Sequence, residues 1–81
     1  MTASVNLDVS NLDLLKQFSE DMNSFHGDIN AVSGSNMVDA KSLLAILALA
    51  KKNFELELIS NDPLEEERFK EVAKKYEILE H

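Results

Sequence analysis

The sequence predicts an α/β domain of the α+β kind: an open-faced β-sandwich of order β-α-β-β-α-β-α, with a four-stranded antiparallel sheet and three helices on one face. Three observations carry this prediction. Apolar residues alternate with polar ones at period two over residues 5–9 and 54–59, the spacing of a half-buried strand. They recur at three and four residues over longer stretches, the spacing of a helix with one buried face. Clusters of Gly, Ser, Asn, Asp and Pro separate these stretches and mark turns.

The elements follow in order. Val5, Leu7 and Val9 alternate with Asn6 and Asp8 and give a first strand over residues 5–9. Ser10, Asn11 and Asp13 have the form of a capping box with Ser10 as the cap. Leu15, Phe18, Met22 and Phe25 then set an apolar stripe on a helix over residues 12–24, which Gly27 ends. Residues 29–33 form a strand entering a hairpin through Gly34, Ser35 and Asn36, and residues 37–40 form its return. Ser42 caps a second helix. On the helical wheel Leu44, Leu47 and Lys51 share the wet side of that helix, while Ile46, Leu49 and Ala50 enter the core. Residues 54–59 form the fourth strand with its glutamates outward. Asp62 and Pro63 open a third helix, because proline suits the first helical position and glutamates suit the positive end of the dipole. Phe69, Val72, Ala73 and Tyr76 line its inner face.

Composition sets limits on function. The chain has 81 residues, enough for one domain with one modest core. Fifteen acidic against eight basic residues give a net charge of −7, which argues against a nucleic-acid or anionic-membrane partner, since both need a positive face. The absence of cysteine rules out a disulfide frame, a zinc knuckle or a thiol nucleophile. No spanning helix and no signal-peptide pattern is expected, and the expected location is the cytoplasm. Leu79, Glu80 and His81 read as the start of a histidine tag, leaving residues 1–78 as the domain.

Several residues invite a functional reading. His26, just after the first helix, is expected to face solvent at the helix C-terminus, in reach of Asp28. Nothing at ligand or triad spacing supports a metal, a cofactor or an enzymatic centre. Glu65, Glu66 and Glu67 read as the exposed first turn of the third helix. Leu43, Leu44 and Leu47 form an apolar patch of the kind that docks partners, expected beside the start of the first helix.

Residues 33–50, a turn, a short strand, a capping serine and a nearly all-apolar helix, resemble the middle of HPr, the histidine-containing phosphocarrier family of the bacterial sugar phosphotransferase system. Gln17-Phe18, Ala40-Lys41-Ser42-Leu43 and Ile59-Ser60 extend the resemblance over about three quarters of the chain. In that family a histidine at the start of the first helix takes a phosphoryl group and passes it to a sugar transporter subunit, within the motif Gly-Leu-His-x-Arg-Pro. Carried back without a gap, the histidine falls on Asn11, the arginine on Asp13 and the proline on Leu14.

All three differ, and the difference is chemical. An asparagine amide nitrogen has its lone pair delocalised into the carbonyl and cannot attack phosphorus. Asp13 sets a negative charge where the arginine would offer donors to phosphoryl oxygens. The resemblance further implies that Ser42 matches the serine phosphorylated by an HPr serine kinase in many Gram-positive bacteria, whose product acts with a catabolite control protein. A catabolite-repression paralogue keeps that serine and lacks the histidine, as this chain does. The expectation is a non-enzymatic regulatory or interaction domain, monomeric or weakly dimeric, with Ser42 as the phosphorylation candidate and Asn11, Asp13, Leu43, Leu44 and Leu47 as docking residues. Its partners would be phosphotransferase-system proteins, the serine kinase or the catabolite control protein. Two alternatives stay open: a phosphocarrier with an unrecognised acceptor, and a structural or oligomerisation module.

Overall fold

The computed structural model describes residues 1–49 and 53–76. The elements are β1 (Thr2–Asn6), α1 (Leu12–Asn23), β2 (Asp28–Ser33), β3 (Asn36–Asp39), α2 (Leu43–Leu49), β4 (Asn53–Ile59) and α3 (Pro63–Ala73). This is the predicted order. The four strands form one antiparallel sheet in the order β1-β4-β2-β3. Each of the crossovers β1-α1-β2 and β3-α2-β4 leaves a gap that a strand of the other unit fills, so two split β-α-β units interlock. At the β2–β3 hairpin Ser33 pairs with Asn36, and Gly34 takes the positive φ of 61° that a two-residue primed turn needs at its first central position.

Pleating sends alternate side chains to opposite faces of the sheet. Val5, Ile29, Ala31, Phe54, Leu56 and Leu58 point to the helices and are buried, whereas Asp28, Asn30, Glu55 and Glu57 point away. Leu15, Phe18 and Met22 from α1, Ile46 from α2 and Phe69 and Val72 from α3 complete one continuous core. Phe18 stands at its centre, edge-on to Phe54 at 6.2 Å and to Tyr76 at 5.1 Å between ring centroids, a geometry that ring quadrupoles favour. The Tyr76 hydroxyl donates to Asp21 at 2.7 Å. Burial, and then this hydrogen bond to a carboxylate, push the Tyr76 phenol pKa well above its ordinary value.

The first strand lies earlier than the alternation of residues 5–9 predicts. Pairing with β4 runs from Thr2 opposite Glu57 to Asn6 opposite Asn53, after which the Asn6 N–H donates instead to the Tyr76 carbonyl at 2.7 Å. Leu7 is still buried and Val9 still packs on the core, so the apolar pattern outlasts the hydrogen-bond ladder. The cap of α1 also shifts by one residue. Ser10 bonds back to Asp8, its N–H at 3.0 Å and its hydroxyl at 2.6 Å, and the cap is Asn11, whose Oδ1 accepts from Leu14 N–H at 3.1 Å. Nor does Gly27 end α1. The chain leaves the helix at Ser24, whose hydroxyl donates to the Asp21 carbonyl at 2.6 Å. Ala50, Lys51, Leu79, Glu80 and His81 lie outside the described residues.

Candidate functional site

The first candidate region is the start of α1. Asn11, Leu12 and Asp13 are exposed there, and Leu14 is partly buried against the core. Asn11 supplies the side-chain acceptor that one of the unpaired first-turn N–H groups requires. Asp13, in the first turn, sets a carboxylate at the positive end of the helix dipole. The region thus presents two acceptors and a negative charge, and its one side-chain amide nitrogen is not a nucleophile. The two histidines of the sequence are at positions 26 and 81, and His26 follows the far end of α1.

The second region is the start of α2. Ser42 Oγ accepts from Ala45 N–H at 3.3 Å, and the Ser42 carbonyl accepts from Ile46 N–H at 3.1 Å, so Ser42 caps this helix as expected. Its neighbour Lys41 is anchored at three points: its N–H donates to Asp39 Oδ1 at 2.9 Å, its carbonyl accepts from Asn23 Nδ2 at 3.1 Å and its ammonium donates to the Phe25 carbonyl at 2.7 Å. Asn23 is the last residue of α1, so the start of α2 is tied to the opposite end of α1 from Asn11, about 18 Å along the axis. Over the described residues the wheel of α2 holds. Leu44, Leu47 and Leu43 are 79%, 41% and 39% exposed, against 1% for Ile46, and Leu49 packs partly on the core. At spacings of three and four residues these leucines are neighbours on one face.

A third cluster escaped the sequence reading. Glu65 is only 6% exposed, in contrast to the solvent-facing first turn expected of residues 65–67. Its two carboxylate oxygens accept from the backbone N–H groups of His26 and Gly27, both at 2.8 Å. Those two hydrogen bonds hold its pKa below the ordinary 4.5 against the opposing effect of burial, with smaller contributions from the charges of His26 and Arg68. Arg68 lies 4.4 Å from the centroid of the Phe25 ring and donates to the Ser24 carbonyl at 3.4 Å and to the Ser24 hydroxyl. A signal existed: Glu65 lies four, seven and eleven residues before Phe69, Val72 and Tyr76 and so falls on the inner stripe of the third helix. His26 is exposed as expected, and its backbone N–H is held by Glu65. The ion pair formed among the described residues joins Lys75 to Asp21 at 3.4 Å; none joins His26 to Asp28.

Two solved structures share this architecture. HPr-C-His from Thermoanaerobacter tengcongensis superposes with a TM-score of 0.73 at 19% identity, covering 93% of this chain and 92% of that one. The phosphocarrier protein HPr from Bacillus anthracis gives 0.67 at 22% identity, covering 95% and 96%. The chain has the HPr fold. No protein-family model and no curated protein matches it by sequence. The likeness covers more than nine tenths of each chain, and at these identities it is one of fold. Among the described residues no three His, Asp or Glu side chains gather as metal ligands, and no helix is long and apolar enough to cross a membrane.

Proposed function

We propose that this chain is an HPr-like regulatory or interaction domain related to the sugar phosphotransferase system, with no phosphoryl relay at the start of α1 and no enzymatic activity of its own. One observation carries the reading: Asn11 is engaged as the cap of α1 with Asp13 beside it. Neither residue can act as a nitrogen nucleophile toward phosphorus, and Asp13 repels a phosphoryl group. The exposed face of Leu43, Leu44 and Leu47 supports docking of a protein partner. The partners of this reading are phosphotransferase-system proteins, an HPr serine kinase or a catabolite control protein, in the cytoplasm, met by a monomer or weak dimer.

Ser42 is the regulatory acceptor within this reading. Its hydroxyl already faces an N–H of the first turn of α2, so phosphate oxygens attached there meet backbone donors and leave the domain folded. Incubation with phosphoenolpyruvate and the general phosphotransferase kinase tests the first half of the proposal. No acid-labile phosphoryl adduct is expected, and one on His26, detected by mass spectrometry at neutral pH, overturns it. Incubation with an HPr serine kinase tests the second half. One phosphate is expected on the wild type and none on Ser42→Ala, and no incorporation where an ordinary HPr is fully modified ends it.

A further inference from the structure

We propose that residues 24–27 form a latch that couples the first turn of α3 to the start of α2, with Lys41 as the positioning residue for Ser42. The inference goes beyond the function proposed above and does not depend on whether Ser42 is modified.

Four consecutive residues each have a backbone group held by a side chain from another part of the chain. The Ser24 carbonyl accepts from Arg68 at 3.4 Å, the Phe25 carbonyl accepts from the Lys41 ammonium at 2.7 Å, and the His26 and Gly27 N–H groups donate to Glu65 at 2.8 Å each. This segment leaves α1 and has not yet entered the sheet, so neither a helix nor a strand ladder supplies these bonds. Charged partners supply them instead, and charge-assisted hydrogen bonds are about twice as strong as neutral ones. Gly27 permits the approach: a Cβ there would stand 2.7 Å from the Ile59 carbonyl oxygen and 3.2 Å from Glu65 Oε1.

The same segment is also anchored through the Phe25 side chain. Phe25 is buried, with Arg68 over its face and Phe69 at 6.1 Å between centroids. The Phe25 carbonyl and the His26 N–H belong to one planar peptide unit, so a release of His26 by Glu65 lets that unit turn and takes the acceptor from the Lys41 ammonium. Lys41 is in turn the residue whose N–H and carbonyl are fixed by Asp39 and Asn23, immediately before the cap that Ser42 places on Ala45. Lys41 is thus committed inward, to α1, rather than offered to a partner as a free cation.

Amide hydrogen exchange read by NMR on the full chain tests the coupling. In Glu65→Gln, exchange at His26 and Gly27 is expected to rise about tenfold, the scale of one lost charge-assisted bond in a local opening. Ala45 and Ile46 are expected to rise with them, while Leu14 and Phe18 hold their rates. Lys41→Met, which keeps the stem and removes the donor, is expected to speed Ala45 alike, and the double variant to add less than the sum of the two. Wild-type exchange at Ala45 in Glu65→Gln, additive effects in the double variant, or an equal rise at Leu14 and Phe18 each overturn the proposal. Should Glu65→Gln not fold, Arg68→Gln, which changes an exposed residue and frees the Ser24 carbonyl of the same segment, is read at Ala45 and Ile46: a rise there with Leu14 and Phe18 unchanged is expected, and wild-type exchange at both overturns the proposal.

Discussion

Glu65 illustrates how one side chain can set the geometry of a loop thirty-eight positions away in sequence. Its lowered pKa has a consequence for acid stability. The folded state binds the Glu65 proton less readily than the unfolded chain does, so its contribution is fully present above the ordinary value of 4.5 and is lost as pH falls through the lower folded-state value. The acid limb of a stability–pH curve in the wild type is therefore expected to be steeper than in Glu65→Gln, and identical limbs would show that the two N–H donors do not favour the carboxylate. Gly27 gives a second expectation at this scale. Its substitution by alanine drives a Cβ against the Ile59 backbone oxygen at 2.7 Å, and backbone cannot swing away as a side chain end can. Gly27→Ala is expected to cost about 1–3 kcal/mol in urea unfolding.

At the scale of the element, α2 is the informative case. Its large apolar side chains cover too wide an arc to be buried together, and the structure leaves Leu44 and Leu47 out while Ile46 goes in. Leu44→Asp and Leu47→Asp are each expected to stay within about 0.5 kcal/mol of the wild type, as exposed substitutions usually do. Ile46→Asp buries an unpaired charge and is expected to abolish the folded state, with a loss above about 4 kcal/mol. Thermal melts of the three variants separate the two sides of the helix. A partner titration with the two leucine variants, in which unchanged binding removes the docking role, separates tolerance from function. The cap of α1 adds a smaller effect: Asn11→Ala is expected to cost about 1 kcal/mol, whereas Ser10→Ala, outside the cap, is expected to cost less.

The whole molecule has one core shared by every described element except β3, which packs on it through Val38. A single core in a chain of 81 residues leads to all-or-none unfolding. The sequence supplies a reporter, since its one tyrosine sits between Phe18 and Asp21. Melting curves from far-ultraviolet circular dichroism and from Tyr76 fluorescence are expected to coincide. A Tyr76 transition at lower temperature would mean that the end of the third helical segment opens before the sheet. That the HPr fold persists at 19% and 22% identity has a physical basis: it rests on the period of the apolar residues and on turn positions, which many sequences can satisfy.

The sequence by itself determined the order of all seven elements, the hairpin at Gly34, the cap at Ser42, the proline start of α3 and the division of α2 into wet and buried sides. Each of these is a local or periodic property, expressed within a few residues of chain. The tertiary structure alone decided where β1 ends, because the Asn6 N–H turns from the ladder to the Tyr76 carbonyl although the alternation runs on. It also moved the cap of α1 from Ser10 to Asn11, since the Asp8 carboxylate competes for Ser10. And it decided that Glu65 is buried, because its partners are the N–H groups of His26 and Gly27. A run of three glutamates carries no record of which one will find donors on a distant loop.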